Sequence, residues 1–85
     1  MSEQEIGVIS HYFDHINVAA LEITGGELSV GDTIHIKGHT SDFTTTVDSM
    51  QIEHDSVEKA KKGDSIGIKV PEKAREHDKV FLVAE

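Results

Sequence analysis

Apolar and polar residues alternate with a period of two along most of this 85-residue chain. That is the spacing of strands with one face buried. Residues 6–13 and 18–23 form two β-rich runs joined by Asp14-His15-Ile16-Asn17, a hairpin connection. Leu28 and Val30 then alternate with Glu27 and Ser29. The phrase Asp32-Thr33-Ile34-His35-Ile36 recurs as Asp64-Ser65-Ile66-Gly67-Ile68 and, more loosely, as Asp78-Lys79-Val80-Phe81-Leu82. Gly31 and Gly63 stand just before the first two aspartates. Glycine takes positive φ freely and aspartate hydrogen-bonds backbone N–H groups two residues on, so each Gly-Asp pair predicts a turn leading into a strand. Unequal spacing of the copies argues against a solenoid.

In residues 43–52 the alternation slips. Phe43, Thr45 and Val47 share one phase and Met50 and Ile52 the other, which predicts a β-bulge near Ser49. Two segments read as single helical turns. Residues 55–62 have Asp55 as a cap with Glu58 three positions on, and residues 71–76 open with Pro71 at a first helical position. Six or seven short strands with glycine-marked turns predict an all-β fold, a small closed six- to seven-stranded β-barrel spanning residues 1–85 as one domain.

Composition narrows the function. Net charge is −8 and unevenly spread: residues 1–58 hold eleven acids and one base, whereas 59–85 hold seven bases and five acids. Blanket attraction to a phosphate backbone is therefore not expected. With no cysteine, disulfides and thiolate metal sites are excluded. The acidic start lacks the apolar core of a signal peptide, and no apolar run approaches the ~20 residues of a membrane span, so a cytoplasmic protein is expected.

Six histidines raise the question of a metal. His11 and His15, like His35 and His39, are four apart, which on a strand means about 13 Å, too far to share one ion. No metal or cofactor is expected, and His35, flanked by Ile34 and Ile36, is expected to face solvent. Ser10-His11 near Asp14 is not a triad, because strand neighbours point to opposite faces. GxxxxGK(S/T) and GxGxxG are both absent, so the chain is not expected to hydrolyse nucleotides. Lys59, Lys61 and Lys62 form a basic cluster suited to a phosphate contact or to a solvated turn. Among the aromatics only Tyr12 lies near an expected loop, and most of the phenylalanines should be core.

The order of these features is similar to a known barrel. Gly7-Val8-Ile9, Val18-Ala19-Ala20-Leu21, residues 26–36, Thr46-Val47-Asp48-Ser49-Met50-Gln51 and residues 57–68 together resemble the second domain of translational GTPases such as elongation factor Tu. Similar barrels occur as small stand-alone elongation factor-like proteins and at the C-terminus of some collagenase-like peptidases. The resemblance implies a non-catalytic binding module acting near translation. By position, Gln51 and His54 match a glutamate and an arginine of the elongation factor's pocket for the aminoacylated end of tRNA. The expected partner is a translation component, RNA or protein, met through Gln51, His54, Lys59, Lys61 and Lys62. The alternative is a protein-docking accessory module for a separate protein or enzyme, using the acidic face or an exposed strand edge and binding no RNA.

Overall fold

The computed structural model describes residues 2–39, 41–52 and 55–84. Ten strands follow in order: β1 (Ser2–Phe13), β2 (Val18–Ile23), β3 (Glu27–Ser29), β4 (Thr33–Lys37), β5 (Asp42–Thr46), β6 (Met50–Ile52), β7 (Asp55–Val57), β8 (Lys59–Lys61), β9 (Ser65–Lys69) and β10 (Lys79–Ala84). Eight of them form one antiparallel sheet in the order β5-β4-β10-β1-β2-β9-β6-β7, and β3 pairs with β8 as a separate ribbon. The all-β expectation holds. The closed barrel does not, because among the described residues no ladder joins the edge strands β5 and β7. The sheet nevertheless wraps one core, in which Phe43 of β5 and Met50 of β6 pack with Ile6, Leu21, Ile34 and Ile68. The ribbon bridges the gap. Val30 N–H donates to the Glu58 carbonyl at 2.9 Å, and Gly31 N–H donates to the Val47 carbonyl at 2.8 Å.

Both expected helical turns are corrected. Residues 55–62 hold β7 and β8, separated by a break at Glu58. Val57 and Ala60 both turn toward the core on either side of that break, and Asp55, read as a helix cap, opens β7 instead. Residues 71–78 are irregular, with Ala74 buried. The bulge expected near Ser49 is absent as well. There the chain leaves β5, which pairs with β4, and enters β6, which pairs with β7 and β9.

The bulges lie instead in β1. Its register shifts between Glu5 and Gly7 against β10 and between Ile9 and His11 against β2. The second shift places Tyr12, not His11, over the core and turns Phe13 outward. It also leaves both Ser10 and His11 exposed, so alternation does not separate them. They simply have other partners: Ser10 donates to the Ala20 carbonyl at 3.2 Å, and His11 Nδ1 lies 3.3 Å from Glu76 Oε1.

All three turn-then-strand units are present, with one difference in mechanism. Each aspartate reaches backward, not forward. Ser29 N–H donates to Asp32 at 2.8 Å, Lys61 N–H to Asp64 at 3.0 Å and Arg75 N–H to Asp78 at 2.9 Å. Before each aspartate the backbone is left-handed: Gly31 at φ 96°, Gly63 at φ 96° and His77 at φ 73°. His77 therefore occupies a position that the other two copies give to glycine. A left-handed L-residue costs about 1–2 kcal/mol, part of which glycine returns through its freer unfolded chain. His77→Gly is expected to stabilise the fold by about 0.5–1 kcal/mol, a gain of several degrees in thermal midpoint. A lower midpoint in a thermal melt would show that the His77 side chain contributes more than its backbone strain costs.

Candidate docking surface

The outer face of β2, β9 and β6 carries little side-chain bulk. One cross-strand row runs Ala20, Gly67, Gln51, because Ala20 pairs with Gly67 and Gln51 pairs with Gly67. Neighbouring strands lie about 4.8 Å apart, so a glycine at the centre of such a row leaves a depression. Phe13 and Ile16, from the β1–β2 hairpin, stand beside it and are 44% and 57% exposed. Together with Val18, Ser65 and Ile66 these residues enclose a groove of about 390 Å³.

The hairpin that builds the wall is held at both ends. Asn17 takes φ 55°, the left-handed conformation that asparagine tolerates. Its carbonyl accepts from Val70 N–H at 3.0 Å, and Ile16 N–H donates to the Phe13 carbonyl at 3.3 Å. The Tyr12 hydroxyl reaches Asn17 Oδ1 at 3.4 Å. The tip is thus tied to the end of β9, and Phe13 and Ile16 are presented on a braced turn. A second depression of similar volume, lined by His11, Tyr12, Asp14, Lys73, Arg75 and Glu76, is charged and lacks such an apolar wall.

The expected site residues are dispersed. Gln51 is exposed on β6 and lines the groove. His54 lies outside the described residues. Lys59 and Lys61 are exposed on β8, opposite Ser29 and Glu27, and Lys62 is exposed in the turn that follows. These three lysines line neither of the two depressions. With Glu27 across from Lys61 and Glu58 next to Lys59, the cluster is interleaved with acids. Sequence reasoning missed Phe13 and Ile16, the largest apolar side chains of the groove. Ile16 stood within the expected hairpin connection, and an apolar residue at a turn tip was the available signal.

His35 also departs from expectation. It does point to the outer face, yet only 16% of its side chain is exposed. Its Nε2 lies 2.5 Å from Asp42 Oδ1 and its Nδ1 lies 2.8 Å from Glu3 Oε2. Both ring nitrogens meet carboxylates, an arrangement satisfied in full only by the imidazolium. The hydrogen bond that His35 donates to Asp42 raises the His35 pKa, burial opposes this, and Glu3 adds to the rise. The Asp42 pKa is lowered by the same bond, against a smaller opposing effect of burial.

The pH dependence follows from these directions. The His35 contribution is complete below its unfolded value of 6.5 and is lost as pH rises through the raised native value. The Asp42 contribution is complete above its unfolded value of 3.8 and is lost as pH falls through the lowered one. The thermal midpoint is therefore expected to decline as pH rises from 6.5, and His35→Gln to flatten that decline. Equal slopes in the two proteins would remove the pair from the account.

No protein-family profile matches the chain. In sequence it is 42% identical over 82 residues, 95% of its length, to an uncharacterized protease of Methanocaldococcus jannaschii. It is 44% identical over 71 residues, 82% of its length, to a collagenase of Porphyromonas gingivalis. The chain spans about a fifth of these relatives, 20% of each. Among solved structures it resembles the C-terminal domain of a protein described as a U32 peptidase from Geobacillus thermoleovorans. One crystal structure of that domain matches with a TM-score of 0.88 at 14% identity, covering 95% of this chain and 93% of that one. The selenomethionine variant matches with a TM-score of 0.85 at 15% identity, covering 91% and 96%.

These likenesses overturn the elongation-factor resemblance. The relatives are a protease and a collagenase, and the structural neighbours are a peptidase's C-terminal domain, not the second domain of a translational GTPase. With that resemblance goes the basis for matching Gln51 and His54 to a tRNA pocket and for expecting a translation component as partner. The chain has the fold of the U32 peptidase C-terminal domain and is similar in sequence to a segment making up about one fifth of a protein named protease and of one named collagenase.

Proposed function

We propose that this chain is a non-catalytic accessory module that docks onto a protein, its partner being the catalytic body of a collagenase-like peptidase. The observation that carries this reading is the 42% identity to a segment making up only 20% of a protease. Four-fifths of that relative lies outside the likeness. The likeness in fold to a domain defined as C-terminal in another peptidase supports the same reading. Fold alone does not assign function, so binding is the property to measure.

The test uses the 85-residue chain and the Methanocaldococcus protease with its matching segment removed, its folding confirmed by a cooperative melt. Titration calorimetry is expected to show one-to-one binding. The chain alone is expected to leave gelatin and casein uncut. Cleavage by the chain alone, retained after repurification, would overturn the non-catalytic half of the proposal. Absence of binding at concentrations up to about 100 μM, where a Kd near 10 μM would be evident, would overturn the docking half.

A further inference from the structure

We infer that the groove between the β1–β2 hairpin and the Ala20-Gly67-Gln51 row is the docking site itself, and that it receives an apolar side chain from a basic face of the peptidase body. This inference rests on the docking reading above and adds the surface, the chemistry and the sign of the charge.

Three observations carry it. First, the wall is apolar and braced: Phe13 and Ile16 are 44% and 57% exposed, while the Val70–Asn17 hydrogen bond fixes the turn beneath them. Large exposed apolar side chains beside a hollow are the usual anchor points of an interface, and a rigid wall loses little entropy on binding. Second, the floor is open because Gly67 carries no side chain between Ala20 and Gln51. A Cβ placed there would meet Val18 Cγ1 at 3.4 Å, ordinary contact, so small side chains fit the strand but would fill the hollow. Third, no charged side chain of either sign lines the groove, so the charge near it comes from its surroundings. Asp14 lies in the hairpin, and Glu22 lies two positions from Ala20 on the same face of β2. Lys69, opposite Val18, is the cation on that face of β9. With a net charge of −8 on the chain, a basic partner is steered toward it and an RNA backbone is repelled.

The same titration with three variants tests the site. Ile16→Asp and Gly67→Leu are each expected to weaken binding at least tenfold. Val30→Asp, at an apolar residue 41% exposed outside the groove, is expected to leave binding within twofold. Melts of all three variants check that each is folded, and both groove positions face outward. Raising the salt should weaken wild-type binding, as steering by opposite charges requires. Binding by the wild type with equal affinity in Ile16→Asp and Gly67→Leu would overturn the groove and leave the docking function standing. Loss of binding by Val30→Asp alone would move the site to the β3 side and overturn it too. Sedimentation is the third arm: self-association abolished by Ile16→Asp would make a second copy the occupant and refute the peptidase assignment. Failure of the wild type to bind refutes the docking reading and this inference together.

Discussion

Gly7→Ala is expected to cost the fold about 3 kcal/mol or more, lowering the thermal midpoint by about 12–24 °C for a domain of this size. The reason is a close approach of backbone. A Cβ on Gly7 would lie 2.7 Å from Leu21 Cδ1 and still nearer the Glu22 carbonyl oxygen. Neither neighbour can retreat. Leu21 is fully buried, and Glu22 is held in the β1–β2 and β2–β9 ladders at once. Gly7 itself follows the first β1 bulge and is paired on both sides, to Val80 and to Ile23. A domain of this length has about 4–13 kcal/mol of stability in all, so the substitution removes a large share of it. Gly25→Ala provides the control. There the nearest neighbour of a new Cβ is the Glu5 carbonyl at 4.0 Å, and a change within about 1 kcal/mol is expected. Similar midpoints for both variants in a thermal melt would show that β1 and β2 can separate without loss.

Leu28→Ala is expected to cost about 2–5 kcal/mol, a prediction that tests whether the ribbon is part of the core. Leu28 belongs to a two-stranded element, and such an element has little stability of its own. Its side chain is nonetheless fully buried and packs in the same cluster as Ile34, Met50 and Val80. Ala60, its partner across the ribbon, is buried with it. Truncation would leave a cavity where the open side of the sheet is sealed. Val30→Ala, two positions on and 41% exposed, is expected to change stability by less than about 0.5 kcal/mol. Urea denaturation followed by circular dichroism measures both. A Leu28→Ala loss as small as that of Val30→Ala would mean that the ribbon is peripheral.

The parts of the fold that were legible share one property: they depend on contacts within a few residues. Gly31-Asp32 and Gly63-Asp64 are closed by a carboxylate reaching three residues back and a left-handed residue beside it. Strands β2, β4 and β9 show unbroken alternation of buried and outward residues, so the period of two placed Leu21, Ile34 and Ile68 in the core directly. The parts that were not legible hinge on the register between distant strands. The bulge at Ser10 exists because Ile9 and His11 pair with consecutive residues of β2. Nothing in the residues near Ser10 announces that extra position. It nonetheless sets Tyr12 inward and Phe13 outward, and so builds the groove wall.

The same distinction separates the candidate sites. Gln51 was reached through a resemblance that the comparisons do not support, yet the ladder of β6 to β9 places it in the groove. The Glu3–His35–Asp42 cluster joins residues from three strands through ring nitrogens at 2.8 and 2.5 Å, and no spacing along the chain relates Glu3 to the other two. By itself, then, the sequence determined the all-β class, the three Asp-closed turns and the acidic balance, because each follows from local geometry or simple counting. The tertiary structure alone decided whether the sheet closes, which face Phe13 takes and which polar groups meet. Those outcomes turn on pairings between residues tens of positions apart, where one bulge shifts every side chain beyond it to the other face.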